Sequence, residues 1–263
     1  MQRYALGIQY LGTAYHGWQR QNSGIPTLQQ ALETAISKVA NANVELVAAG
    51  RTDKGVHAVE QVAHFDTETV RAPYNWLRGI NALTPEDISV SWVQPVSQEF
   101  HARFSAQRRV YRYFLSCGIV KPALLVNRAA WVYGELALAP MQRAAEYLLG
   151  RHDFSAFRAA DCQAKSPVKT LERLAIHQQN NVLIFEAQAD GFLMHMVRNL
   201  VGVLVAVGRG DYPPEWAQQV LQRGDRRHAG IAMPPQGLYM TSVEYDAVFK
   251  LPQASSSATS VFL

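Results

Sequence analysis

Apolar and polar positions alternate over residues 4–11, 61–66, 88–93 and 238–245, and a period of two over such lengths predicts half-buried strands. Between the first two, Leu28, Ala31, Leu32, Ala35, Ile36 and Val39 recur at helical spacing. Thr27 stands before them as an N-cap, with Gln30 three residues on. The apolar run 44–49 predicts a buried strand ending at Asp53, and residues 73–83 a second helix opened by proline. The first half therefore reads β-α-β-β-α-β, the split ferredoxin-like arrangement.

The second half repeats that order. Residues 108–116 predict a long strand, 140–149 a helix stopped by Gly150, and 171–178 with 182–189 a hairpin turning at Asn180-Asn181. Residues 192–207 form a long apolar helix carrying His195, Arg198 and Asn199, and 213–221 an additional helix. The stretch around Trp131-Val132-Tyr133 reads as irregular. The expected class is α/β: two ferredoxin-like units with antiparallel sheets, residues 1–105 and 106–250. A Ser/Ala-rich tail, 251–263, is expected to be mobile.

Composition narrows this modestly. With 48% hydrophobic and 17% charged residues the chain supports packed cores and argues against disorder. A net charge of +4 leans towards a polyanionic partner. Cys117 and Cys162 fit neither a zinc pattern nor a disulfide framework, as expected of reduced thiols in a cytoplasmic protein. No signal peptide opens the sequence. The longest apolar run, 200–208, falls far short of the ~20 residues that span a bilayer, so no membrane partner is expected.

The candidate chemistry centres on Gly50-Arg51-Thr52-Asp53-Lys54-Gly55-Val56-His57. Two glycines bracket a carboxylate flanked by Arg51 and Lys54. Such a carboxylate stays ionised and can act as nucleophile or base; the plainer alternative is a surface turn. Asp53, His57 and His64 could bind a metal, but their spacing matches no zinc signature. Arg103, Arg108, Arg109 and Arg112 interleave with Phe104, Tyr111, Tyr113 and Phe114, a mixture that suits phosphates and unpaired bases. On a strand, Arg109, Tyr111 and Tyr113 share one face; Arg108, Val110, Arg112 and Phe114 share the other, which could equally be a solvated arginine face. Arg158, Lys165 and Lys169 add charge around the loop Asp161-Cys162-Gln163-Ala164-Lys165. Arg198 lies in an apolar helix, where it either pairs with a carboxylate, Asp53 being a candidate, or snorkels to the surface.

Six stretches in order resemble the tRNA pseudouridine synthase A family, the tRNA pseudouridine(38–40) synthases. They are Tyr15-His16-Gly17-Trp18-Gln19-Arg20-Gln21, the Asp53 motif, Phe100-His101-Ala102-Arg103-Phe104, Arg109-Val110-Tyr111-Arg112-Tyr113, His195-Met196-Val197-Arg198-Asn199-Leu200-Val201-Gly202 and Gly237-Leu238-Tyr239. The resemblance implies isomerisation of uridine to pseudouridine in the tRNA anticodon stem-loop, without cofactor or metal. It also implies a homodimer with a positively charged cleft. On it, Asp53 matches the catalytic aspartate, Tyr111 the tyrosine stacking on the target base, Arg198 the aspartate's partner and Arg51 a residue that flips the base. Phe100, His101, Ala102, Arg103 and Phe104 match tRNA contacts, as do Asp161, Cys162, Gln163, Ala164 and Lys165. One departure is Lys54, where many relatives carry alanine; as a strand residue it should point away from Asp53.

The implied reaction breaks C1′–N1, turns the uracil and joins C1′ to C5. It needs no redox cofactor. A carboxylate must attack C1′ or take the 2′ proton, and the detached base must be held, which suits Tyr111 and an apolar wall such as Leu238. The rival from another class is a non-catalytic RNA-binding protein built from the same units.

Overall fold

The computed structural model describes residues 1–21 and 24–252. Its strands are β1 (Gln2–Tyr10), β2 (Val47–Ala48), β3 (His57–Thr67), β4 (Ile88–Val96), β5 (Ala106–Gly118), β6 (Ala130–Tyr133), β7 (Gly150–Asp153), β8 (Val168–Gln179), β9 (Val182–Ala189) and β10 (Leu238–Tyr245). Its helices are α1 (Leu28–Ala40), α2 (Pro73–Asn81), α3 (Leu138–Glu146), α4 (Met196–Gly208) and α5 (Trp216–Arg223). Contacts divide the chain into two compact units, Met1–Gln107 with the stretch from Met240 on, and Arg108–Tyr239. The fold is thus α/β, with two ferredoxin-like units built on mostly antiparallel sheets. The tail from Gln253 lies outside the described residues.

In the first unit the strand order is β4-β1-β3-β10, with the short β2 also on β3. β1 runs antiparallel to both neighbours, with Arg3 opposite Asp66 and Ala5 opposite His64. Thr27 accepts a hydrogen bond from the Gln30 amide and starts α1 as its sequence predicts. The apolar faces of α1 and α2, including Leu32, Ile36, Trp76 and Ile80, are fully buried. Trp76 packs at 5.4 Å from Tyr4 and 5.2 Å from Phe65 between ring centroids. On a second cluster Ala5, Val62, Phe100 and Ala102 are covered by Trp92, Tyr245 and Phe249.

In the second unit β5, β9, β8 and β7 follow one another, and β6 lies parallel to β5. The β8–β9 hairpin turns where expected, with Asn180 left-handed at φ 52°. α4 is buried on nearly every side, against α3, α5 and the turn Ser155–Phe157, which explains its lack of a polar stripe.

Four expectations need correction. The apolar run 44–49 yields only the two-residue β2, so Asp53 sits in a turn rather than at a strand end. Residues 130–133 are a strand, too short to show a period. Gly150 does not simply stop a helix: residues 150–153 form an edge strand on β8, polar because only one side is paired. α4 begins at Met196, and His195 precedes it in the left-handed conformation (φ 63°).

Candidate active site

In the first unit the Asp53 segment is held by its neighbours rather than by a ladder. Thr52 is buried, its carbonyl accepts from the Trp18 amide at 3.0 Å, and its hydroxyl lies 2.8 Å from that of Tyr10. The Val56 amide closes the turn onto the Asp53 carbonyl at 3.1 Å, and Gln61 donates to the Gly50 carbonyl at 2.7 Å. The Gly12 amide donates to His57 Nδ1 at 2.9 Å. Residues 12–18 are in turn fixed on the start of α1, whose Leu28 and Gln29 amides donate to the Gly17 and Trp18 carbonyls. Each such bond contributes about 1 kcal/mol net, so the clamp as a whole outweighs what any one of them supplies.

Close approach explains two glycines. A Cβ on Gly12 would stand 1.9 Å from the Val56 carbonyl oxygen. One on Gly17, at φ +89°, would stand 2.8 Å from that of Thr52. Two loops therefore lie in backbone contact, and the half-buried Asp53 is presented from a rigid turn, with Arg51 exposed. Lys54 is exposed, and its Nζ lies 3.0 Å from His16 Nε2, an arrangement made by the turn and not by strand alternation.

The same unit carries Phe100 to Phe104. Phe100 and Ala102 are buried; Arg103 and Phe104 are exposed. His64 is buried, and its Nδ1 accepts from the Ala102 amide at 3.1 Å. Burial pushes the His64 imidazole down to about 4, helped by the positive charge of Arg3. His57 and His64 thus each spend a ring nitrogen on a backbone amide. No group of three metal-ligating side chains occurs among the described residues, which removes the basis for grouping Asp53, His57 and His64 as ligands.

In the second unit Tyr111 is buried on β5, its ring edge-on to Phe192 at 5.1 Å. Phe192, whose ring meets that of Tyr111, is a residue the sequence pattern did not single out. Tyr113 is fully buried and donates to the Pro234 carbonyl at 2.7 Å. Arg198 Nε donates to the Met233 carbonyl at 2.7 Å, while the Met233 amide donates back to the Arg198 carbonyl at 3.1 Å. The strap 231–237 thereby anchors Arg198 and delivers Leu238, buried, at the start of β10. Met233 and Pro234 also went unnoticed in the sequence. Arg198 neither snorkels freely nor sits without polar contact: its stem is tied to the backbone.

Among the interleaved arginines, Arg108 and Arg112 form ion pairs within the unit. Arg112 meets Glu186 at 2.7 Å, a carboxylate it shares with Arg173 at 3.1 Å, and Arg108 meets Glu172 at 2.5 Å, so this face of β5 is largely an ion-paired, part-solvated surface. Arg109 donates to the Asp190 carbonyl. Residues 161–165 form a loop with Asp161, Gln163 and Lys165 exposed; Arg158 donates to the Cys162 carbonyl at 3.4 Å. The Ala159 amide donates to the Met194 carbonyl, joining this loop to the segment before α4.

A family model described as "tRNA pseudouridine synthase" matches residues 7–105 and 144–246. The chain belongs to the tRNA pseudouridine synthase A family. A relative of that name from Alcanivorax borkumensis is 50% identical over 96% of this chain and 94% of its own. One from Dechloromonas aromatica is 50% identical over 95% of each, and one from Coxiella burnetii (strain Dugway 5J108-111) 47% identical over 96% and 97%. Among solved structures, a chain from one titled "Crystal Structure of a Cbf5-Nop10-Gar1 Complex" aligns at 12% identity and TM-score 0.38 over 90% of this chain and 48% of its own, too distant to bear on the argument. As a member of the synthase A family, the chain carries its Asp53 turn and the Phe100–Phe104 segment inside the first matched region, and Arg198 and Leu238 inside the second. Tyr111 lies between the two. No helix among the described residues is long and apolar enough to cross a membrane.

Proposed function

We propose that this protein is a cytoplasmic, homodimeric isomerase that converts uridine to pseudouridine at positions 38, 39 and 40 in the anticodon stem-loop of tRNAs, without cofactor or metal. Family membership over nearly the whole chain carries the reading, and the clamped Asp53 turn supports it. In it Asp53 attacks C1′ or takes the 2′ proton, with Arg198 as its counter-ion. Arg51 helps turn the base out, at a cost of a few kcal/mol that phosphate contacts offset. Tyr111 stacks on the uracil and Leu238 forms an apolar wall while the C1′–N1 bond breaks and the ring turns. C1′ then bonds to C5 as its bond to Asp53 breaks, or as Asp53 returns the 2′ proton; the C5 proton leaves and N1 regains one. Phe100 to Phe104 and residues 161–165 contact the tRNA.

The test is tritium release from C5-labelled uridine in tRNA transcripts. Release is expected at an unchanged rate in EDTA and to vanish in transcripts with cytidine at 38–40. Absence of release, or its abolition by the chelator, would overturn the reading.

The homodimer is supported by the loop between β5 and β6, where Ile119 is 76%, Val120 75% and Leu124 92% exposed. Water-exposed apolar side chains at this density suit a second copy of the chain. Light scattering should give twice the 29.3 kDa chain mass for wild type and the single mass for Leu124→Asp. A monomeric wild type would refute the dimer.

A further inference from the structure

Residues 97–105, between β4 and β5, have no ladder of their own, yet they are pinned from beneath. Arg3 Nη1 donates to the carbonyls of Gln98 and Phe100, both at 2.7 Å. Its other nitrogens grip Asp66 side-on, Nε to Oδ1 at 2.8 Å and Nη2 to Oδ2 at 2.7 Å. His64 takes the Ala102 amide, and His101 Nδ1 takes the amides of Arg103 and Phe104, both at 3.2 Å.

The rings form a column rising from the sheet. His64 meets His101 edge-on at 4.8 Å, and His101 stacks on Phe104 at 4.3 Å and 28°. Phe104 is 77% exposed, with the Arg103 guanidinium 5.7 Å from its centroid. A single exposed phenylalanine is ordinary. One stacked on His101, which His64 meets edge-on, and carried by a backbone pinned at five points is preorganised, and a flat ring with a guanidinium near it suits a base and its neighbouring phosphate.

We propose that Phe104 is a stacking platform for an unpaired base of the tRNA, and that His64 is the positioning residue that sets it. The proposal rests on the tRNA reading above and deepens it. His64 acts only through its neighbours: the Ala102 amide requires a lone pair on Nδ1, which places any proton of the neutral ring on Nε2. Asparagine presents an oxygen near the position of Nδ1; glutamine presents its polar atoms near Nε2.

The experiment measures tRNA binding and steady-state kinetics of the full chain, with folding checked by circular dichroism. Phe104→Ala should weaken tRNA binding about tenfold, as loss of one stacked base does, with the loss falling on KM more than kcat, while Phe104→Trp retains it. His64→Gln should show a similar loss and His64→Asn should recover most of it. The double variant His64→Gln/Phe104→Ala should bind no more weakly than Phe104→Ala alone. Unchanged binding in folded Phe104→Ala, equal losses in His64→Asn and His64→Gln, or additive losses in the double variant would each overturn the proposal. A wild type that makes no pseudouridine would instead refute the parent reading.

Discussion

Asp53→Asn should abolish tritium release from tRNA, by roughly 10³-fold or more under single-turnover conditions, while tRNA affinity stays within a fewfold of wild type. The amide has nearly the shape of the carboxylate but neither its charge nor its nucleophilicity. Its surroundings should tolerate it. The turn is held through backbone atoms of Gly50, Thr52, Asp53 and Val56, none of which the substitution alters. A fall in rate without a fall in binding would therefore report chemistry rather than folding. Residual release within tenfold of wild type would remove Asp53 from the reaction. Retained binding with no release from wild type itself would point to an RNA-binding module.

The turn also shows what could be read in the sequence. Gly50, Gly55 and the charged residues around Asp53 announced a break in regular structure, and Thr27 and Gln30 announced the start of α1, because both are local effects. The length of β2 was not local. An apolar run at 44–49 fits a buried strand by its own pattern, yet only Val47 and Ala48 pair with β3, opposite His64 and Ala63. β6 and β7 were illegible for related reasons. Four residues carry no measurable period, and Gly150–Asp153 is an edge strand whose side chains need not be apolar.

Among the candidate site residues, those named by motif were within reach and the residues that contact them were not. Tyr111 and Arg198 stand out as an aromatic among arginines and a charge in an apolar helix. Phe192 and Met233 do not, since one looks like a helix start and the other like loop. Their contributions, a ring edge against Tyr111 and a carbonyl for Arg198, depend on tertiary contact. The arginines of β5 show the converse. Their pattern suggests a phosphate-binding face, but Glu186, opposite Arg112 on the adjacent β9, and Glu172, one strand further on β8, pair with Arg112 and Arg108, partners that only the sheet order brings together.

Gly202→Ala should lower stability by about 3 kcal/mol and cut activity at least tenfold, although the residue lies inside a helix. Helix propensity alone favours alanine by about 1 kcal/mol. Against this, a Cβ on Gly202 would stand 2.0 Å from the Ile231 carbonyl oxygen, a backbone atom with no rotamer to give. The strap must move, and overpacking of this kind costs about 1–3 kcal/mol or more. Because the strap carries Met233, which bonds Arg198 in both directions, its displacement should misplace that guanidinium and the Leu238 that follows. Gly208→Ala, at the end of the same helix, is the control. There the new methyl meets Sδ and Cγ of Met141, a flexible side chain, at 2.7 and 2.9 Å. That variant should stay within about 1 kcal/mol of wild type and keep its activity, since the gain in propensity offsets a small repacking. Urea denaturation of both variants beside the tritium assay decides the matter: equal effects at 202 and 208 would mean that glycine is needed for the helix itself, and that the strap plays no part in setting Arg198.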